Sequence, residues 1–135
     1  MRAFPILRVL RIERSLEFYG VLGFTLKSTY RPDPQRIDPA FCVIEKQGCE
    51  IHLSSHAGDG CFGSAVQIVC DSVDELYESL PEPVRELAEL KPTNQTWNQR
   101  ELYFRDLDNH SIRFISPVVT SVPFYGYLFS PLAGS

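Results

Sequence analysis

The stretch that decides the fold is Phe41-Cys-Val-Ile-Glu-Lys-Gln-Gly-Cys-Glu-Ile-His-Leu-Ser54. Two short apolar runs flank Lys46-Gln-Gly48, a pattern that predicts a β-hairpin with glycine where a positive φ is most needed. The same pattern recurs at an offset of 61 residues, which aligns Phe41–Glu45 with Leu102–Asp106 and Ile51–Leu53 with Ile112–Phe114. Asn109 then takes the place of Gly48, and asparagine is the non-glycine residue best suited to the left-handed region. The chain therefore contains a repeat.

Working outward from the two hairpins, each half of the chain shows the same order of elements. In the first half we predict a strand over Phe4–Val9, a helix over Glu13–Leu22 that ends at Gly23, a strand over Phe24–Tyr30 and an irregular proline-rich loop over Arg31–Pro39. In the second half we predict a strand over Ser64–Cys70, a helix opened by the capping box Ser72–Glu75 and ended by Pro81–Pro83, a strand over Val84–Leu90 and a polar loop over Lys91–Asn98. Each half thus reads as strand, helix and three further strands.

Alternation along the strands assigns side chains to the two faces of the sheets. One face is uniformly apolar and is expected to pack under the helices; it carries Phe41, Val43, Ile51, Leu53, Val66, Ile68, Leu102, Phe104, Ile112 and Phe114. The other face mixes apolar, aromatic and ionisable residues, among them Phe4, Cys42, Glu50, His52, Ala65, Glu101, Tyr103 and Arg113. A mixed face suits a concave ligand surface, and it also suits an ordinary wetted sheet face.

Length and composition bound the remaining possibilities. The 135 residues fit one domain built from two small repeats, and the net charge of −4 without basic clusters argues against nucleic acid as a partner. No apolar run approaches the ~20 residues needed to cross a bilayer, and no signal peptide is apparent, so a cytoplasmic protein is expected. The four cysteines show no CxxC pair and are expected to be free thiols.

Two further segments carry a resemblance to a known family. The opening Leu7-Arg-Val9, Glu13-Arg-Ser-Leu-Glu-Phe-Tyr19 and Val21-Leu-Gly-Phe24 resembles the glyoxalase / bleomycin-resistance / extradiol-dioxygenase superfamily, or vicinal oxygen chelate fold. So does Trp97-Asn-Gln-Arg-Glu-Leu-Tyr-Phe-Arg-Asp106, which is closest to the bleomycin-resistance branch. In that branch an Asp-Pro-x-Gly turn follows, whereas Leu107 and Asn109 replace the proline and the glycine here. The resemblance covers residues 4 to about 117.

The resemblance implies an α+β fold of two tandem βαβββ modules, whose mixed sheet curls into a cup with helices outside. We accordingly expect a single domain over 1–135, with modules at 4–55 and 62–117 and an aromatic C-terminal extension at 118–135 that packs over the cup or across a dimer. Members of the superfamily are usually dimers, so a homodimer is expected.

Enzymes of this superfamily hold a divalent metal on the first and last strands of each module. Matching those strands here gives Phe4, His52, Ala65 and Arg113, of which only His52 offers a donor. A catalytic zinc or iron normally needs about three protein ligands. The resemblance therefore implies no family-type metal, and neither an enzyme nor a cofactor is favoured. A Cys42–His52 pair facing the cup is also conceivable, but a thiol and a histidine with no joint role are favoured.

What remains is a binding cup that retains a small molecule without altering it. The expected ligand-binding residues are Trp97, Tyr103, His52, Arg113, Glu101, Phe41, Phe62 and Tyr30, with aromatic rings providing burial and the polar groups providing anchors. The function expected is sequestration of an aromatic or cationic compound, as in drug binding and antibiotic resistance. Two alternatives stay open: a metal-dependent lyase, isomerase or dioxygenase with a rearranged site, and a structural dimer whose cup is filled by its own side chains.

Overall fold

The structure, a computed structural model, describes residues 1–118, and the C-terminal extension lies outside the described residues from position 119 on. The elements run in the order β1 (Ile6–Arg8), α1 (Ile12–Val21), β2 (Thr25–Tyr30), β3 (Phe41–Lys46), β4 (Cys49–Ser54), β5 (Ala65–Val69), α2 (Val73–Ser79), α3 (Glu82–Arg85), β6 (Leu90–Asn94), β7 (Gln99–Arg105) and β8 (Ser111–Pro117). They form two four-stranded sheets, ordered β1-β4-β3-β2 and β5-β8-β7-β6. The predicted α+β class and the two strand-helix-strand-strand-strand modules are confirmed.

The chain forms two compact units whose boundaries cross the modules. The first unit holds Met1–Val66 and Arg105–Ile112, and the second holds Gln67–Phe104 and the described residues from Arg113 on. The turn of the second closing hairpin, though late in the sequence, therefore belongs to the first unit, whereas most of its two strands belong to the second. Within residues 1–118, no helix has both the length and the apolarity to span a membrane.

Helix α1 covers the first unit through one apolar stripe. Ile12 and Tyr19 are fully buried on it, and the backbone N–H of Ile12 donates to Asp38 Oδ1 at 3.0 Å, which satisfies a donor that the helix itself cannot. Gly23 follows with a φ of +100°, so the predicted glycine stop is confirmed.

The predicted hairpin between β3 and β4, with a positive φ at Gly48, is confirmed, but its loop has two residues instead of three. Its two loop residues, Gln47 and Gly48, both have positive φ angles, 49° and 82°, as a type I′ turn requires. The predicted left-handed Asn109 is also confirmed, with a φ of 70° in the second closing hairpin.

The predicted face of β3 is wrong by one residue. Cys42 and Ile44 are fully buried, and they pair with the buried Leu53 and Ile51 of β4, so they lie on the core face. Phe41 and Val43, expected under the helices, lie on the opposite face. The reason is the length of the hairpin loop, which has two residues rather than the three of Lys46–Gly48. Phe41 therefore pairs with Ser54 and lies on the face opposite to Leu53.

The middle of the second half also departs from the prediction. Ser72 caps α2 as expected, its Oγ accepting from the backbone N–H of Glu75 at 3.2 Å. The segment Val84–Leu90 is not a strand. Pro83 falls in the first turn of the short helix α3, where a proline is tolerated, and the strand β6 begins only at Leu90.

A buried polar network ties the second closing hairpin to α1 within the first unit. The hydroxyl of Tyr19 donates to Asp106 Oδ2 at 2.6 Å, and the backbone N–H of His110 donates to Asp106 Oδ1 at 2.7 Å. His110 is fully buried, and its Nδ1 accepts from the backbone N–H of Ser64 at 2.9 Å. Its Nε2 lies 2.5 Å from the carbonyl oxygen of Arg8, so the neutral tautomer with the proton on Nε2 satisfies both ring nitrogens.

The same network acts on the pKa of Tyr19. Burial of the phenol, and to a lesser extent the negative charge of Asp106, raises this pKa far above its ordinary value.

We expect Tyr19→Phe to lower the free energy of unfolding by about 1.5–3 kcal/mol, because it removes a hydrogen bond to a buried carboxylate. The effect should also depend on pH. The unfolded state loses the tyrosine proton near pH 10 while the folded state keeps it, so this group's stabilisation is complete below about pH 10 and is lost as the pH rises above it. The free energy of unfolding of the variant should therefore fall less steeply than that of the wild type above pH 10. Urea denaturation across that range measures both effects.

Tyr30→Phe is the matched control, since Tyr30 is 63% exposed. Equal unfolding free energies for the two phenylalanine variants would show that the Tyr19–Asp106 bond does not stabilise the fold.

Candidate functional site

The face of the first sheet that is turned away from its core is defined by strand register. Arg8 pairs with Ser54, Ser54 with Phe41 and Phe41 with Tyr30, so these four residues form one row across β1, β4, β3 and β2. The next row contains Ile6, His52, Val43 and Ser28. Directly paired residues point to the same side of a sheet, so both rows lie on one surface, which we call the first aromatic face.

His52 lies at the centre of the first aromatic face between two rings. Phe4 stacks on it with ring centroids 4.9 Å apart, and Phe41 meets it edge-on at 5.4 Å. The Nε2 atom of His52 lies 2.7 Å from Glu50 Oε2. Two rings and a carboxylate therefore fix the orientation of the imidazole, and the structure brings together the predicted Phe41, His52 and Tyr30 on this face.

Phe62 reaches the same unit from the loop that follows β4. The guanidinium carbon of Arg8 lies 4.7 Å from its ring centroid, in the geometry of a cation–π contact. The loop approaches β1 closely at Gly60, where an added Cβ would lie 3.3 Å from the carbonyl oxygen of Ile6. Arg8 is not among the site residues predicted from the sequence, since its partner Phe62 comes from a loop without a periodic pattern.

The second unit holds a separate group, the second aromatic group, formed by Trp97, Glu101, Tyr103 and Arg113. Glu101 is 1% exposed and accepts from two aromatic side chains: Trp97 Nε1 donates at 2.7 Å, and the hydroxyl of Tyr103 donates to the other carboxylate oxygen. The guanidinium carbon of Arg113 lies 4.9 Å from the ring centroid of Tyr103. The indole of Trp97 is 51% exposed, so one end of the ring system is anchored and the rest faces solvent.

The backbone explains how four residues from distant positions meet in the second unit. Glu101 and Tyr103 are two residues apart on β7 and so share a face, while Arg113 lies on β8, the neighbouring strand. The turn before β7 carries Trp97, and Asn98 in it has a φ of 69°. All four are among the ligand-binding residues predicted from the sequence, and the structure brings them together.

The charges of the second aromatic group act on Tyr103. Burial, then the hydrogen bond to Glu101 and its negative charge, raises the pKa of Tyr103, and the nearby Arg113 opposes this rise. The phenol therefore remains a hydrogen-bond donor to Glu101 at neutral pH.

A family model described as "Glyoxalase superfamily protein" matches residues 1–116 of the chain. The chain belongs to the glyoxalase superfamily. The resemblance inferred from the opening and closing motifs is thereby confirmed. A search among curated proteins finds no significant match.

Solved structures with the same fold include relatives of the bleomycin-resistance branch. A bleomycin-binding protein complexed with bleomycin is 19% identical, with a TM-score of 0.63 over 86% of this chain and 98% of that one. A bleomycin resistance determinant encoded on the transposon Tn5 is also 19% identical, with a TM-score of 0.63 over 88% and 99% of the two chains. A glyoxalase / bleomycin resistance protein / dioxygenase from Nocardioides is 21% identical, with a TM-score of 0.61 over 91% and 88%. At these identities the likeness shows the fold.

In this glyoxalase superfamily protein the positions matched to metal ligands do not fit a metal centre. Phe4 offers only a ring, which stacks on His52, and the guanidinium of Arg113 lies on Tyr103 and would repel a cation. Across residues 1–118 there is no cluster of three or more His, Cys, Asp or Glu side chains arranged to hold a metal ion. We therefore derive no metal-dependent step. The Cys42–His52 combination is also excluded, because Cys42 is buried on the core face and His52 lies on the other.

We expect Glu101→Gln to lower the pKa of Tyr103, because it removes a negative charge that disfavours the phenolate. Arg113→Met should raise that pKa, because it removes the cation that favours the phenolate. Nuclear magnetic resonance of the tyrosine Cζ carbons, followed as a function of pH, measures both shifts. Glu86→Gln, an exposed carboxylate change in the same unit, is the control. Shifts of the same sign in the Glu101 and Arg113 variants would contradict this electrostatic assignment.

Proposed function

We propose that this protein is a metal-free binding protein of the bleomycin-resistance type, which sequesters a small aromatic or cationic compound without altering it. The observation that carries the proposal is the second aromatic group. Trp97 is half-exposed, yet its indole is fixed by a hydrogen bond to the fully buried Glu101. A ring held in one orientation loses little freedom when a flat ligand stacks on it, and this favours binding.

The first aromatic face supports the same function with a second set of rings. His52 is held between Phe4 and Phe41, and Tyr30 extends the row at the edge of the sheet. Such a surface offers apolar area for burial together with a few polar atoms for orientation, which is the usual composition of a small-molecule site. The fold shared with a bleomycin-binding protein agrees with this use of the scaffold.

The negative charge of Glu101 favours a cationic ligand at the second aromatic group. Cations are attracted to the face of an indole, and here the ring also donates to a carboxylate, so both parts of the group attract positive charge. Arg113 opposes this attraction from the side of Tyr103. A flat ligand whose cationic group approaches Trp97 rather than Tyr103 fits this distribution of charge.

We further propose that the protein acts as a homodimer in the cytoplasm. Its apolar surface supports a dimer, since Leu26 and Tyr30 on the edge strand β2 and Val69 on the edge strand β5 are largely exposed. The four cysteines are free thiols, which agrees with a reducing compartment.

Sedimentation equilibrium of the full chain should give twice the chain mass, and a monomer throughout the micromolar range would contradict the dimer.

We expect the chelator-treated protein to be stabilised by members of a panel of aromatic antibiotics and dyes. A ligand at one hundred times its Kd should add about 2.7 kcal/mol of stability, which a thermal shift detects. The response should persist in the presence of chelator. Ligand binding that requires added zinc, iron or manganese would contradict the metal-free proposal.

Trp97→Leu should weaken the binding of a responding ligand by up to about tenfold, because stacking between aromatic rings contributes about 0.5–1.5 kcal/mol beyond burial. Isothermal titration calorimetry measures the change. Leu87→Ala is the control, since Leu87 is an exposed apolar residue of the same unit. An unchanged affinity in the Trp97 variant would remove the second aromatic group from the binding site.

A further inference from the structure

Arg8 is a cation whose hydrogen-bonding capacity is not used by the described residues. It forms no ion pair in residues 1–118, where the salt bridges include His52–Glu50, Arg85–Glu78 and Arg100–Asp74. Its Nε atom is shielded from solvent and has no hydrogen-bond partner. A buried donor without an acceptor lowers the stability of the fold, and the loss is larger when the donor belongs to a charged group. Most buried polar groups have a partner, so the Nε of Arg8 is an exception.

Three acidic residues of the first unit have other partners. Asp59, on the loop that passes over β1, accepts from Ser54 Oγ at 2.7 Å, and Ser54 is the register partner of Arg8. Glu50 lies against His52, and Glu45 accepts from the backbone N–H of Gly48. These three carboxylates disfavour an anion over most of the surface, and they leave Arg8 as the place where one is favoured.

The orientation of the guanidinium suits a planar oxyanion. Its guanidinium carbon lies over the ring of Phe62, 4.7 Å from the ring centroid. The ring lies on one side of the guanidinium, and the two terminal Nη groups form an edge whose N–H donors match the two oxygens of a carboxylate. Phe62 itself is 45% exposed, so a ligand can approach it from solvent.

The surroundings of Arg8 specify what the anion is attached to. Arg8 and Phe41 lie in one row of the first aromatic face, which crosses β4 at Ser54. His52 lies in the next row, two residues before Ser54 on β4. At roughly 3.3 Å per residue, the rows are separated by roughly 7 Å, which is about the length of a benzene ring with its carboxylate. A flat ring placed against His52 and Phe41 therefore puts a carboxylate near Arg8.

We propose that Arg8 and Phe62 form an oxyanion subsite at the end of the first aromatic face, and that this face takes aromatic carboxylates. The inference rests on the proposed small-molecule binding, and it adds an anionic ligand class to the aromatic or cationic one. Arg8 supplies the paired donors, Phe62 holds the guanidinium flat, and His52 with Phe41 contacts the ring.

Calorimetric titration of the full chain with benzoate and with benzamide tests the subsite, since the two probes share size and planarity but differ in charge. Benzoate should bind roughly tenfold or more tightly than benzamide, because two hydrogen bonds to a charged group are gained. Arg8→Met should reduce benzoate binding to about the level of benzamide and weaken benzamide binding much less. Arg8→Lys should give an intermediate value, because the charge remains but the paired donors are lost.

Arg14→Met is the matched control, since Arg14 is an exposed arginine on α1 and its replacement changes the net charge equally. Retained benzamide binding shows that the Arg8 variants are folded. Equal benzoate affinities in the Arg8→Met and Arg14→Met proteins would overturn the subsite. So would a wild type that binds benzamide as tightly as benzoate, although the small-molecule function would then stand. The absence of binding by either probe would overturn the subsite, while the panel of antibiotics and dyes tests the function separately.

Discussion

The strict alternation of side chains across β1, β4 and β3 is the constraint on which the first unit depends. Leu7, Leu53 and Cys42 form one buried row. Because this row must face the core, the neighbouring residues on the same strands must face the other way. The surface that carries His52 and Phe41 is thus the reverse side of the core, and a slip of one residue in register would exchange the two faces completely.

Charged and polar partners hold the aromatic rings of both units in place. In the first unit His52 is fixed by two rings and Glu50, and in the second unit Trp97 and Tyr103 share one buried carboxylate. An exposed ring that is anchored at one edge has little rotational freedom to lose when a ligand binds. Such a ring is therefore typical of a preorganised binding surface. The buried Glu101 makes the orientation of the two rings interdependent, so neither ring can turn without leaving an acceptor unpaired.

The elements that obey a simple period were predictable from the sequence, and those that depend on loop length were not. Helix α1 and the Gln47-Gly48 turn carry their own local signals, and both appear where expected. The predicted face of β3 was wrong because Lys46 belongs to the strand, so the hairpin loop is one residue shorter than its sequence suggests and the register shifts by one. The Arg8–Phe62 contact was not predictable either, since the segment between β4 and β5 has no period to show which side chain it brings back to β1.

The bond between Tyr19 and Asp106 joins residues separated by 87 positions, and it has a consequence for biosynthesis. The hairpin that supplies Asp106 and His110 leaves the ribosome long after the strands of the first sheet have emerged. Until then the tyrosine hydroxyl in α1 has no carboxylate acceptor, and the backbone N–H of Ser64 lacks the imidazole that accepts from it. The N-terminal half therefore cannot complete its interior until the last hairpin of the described chain has been synthesised.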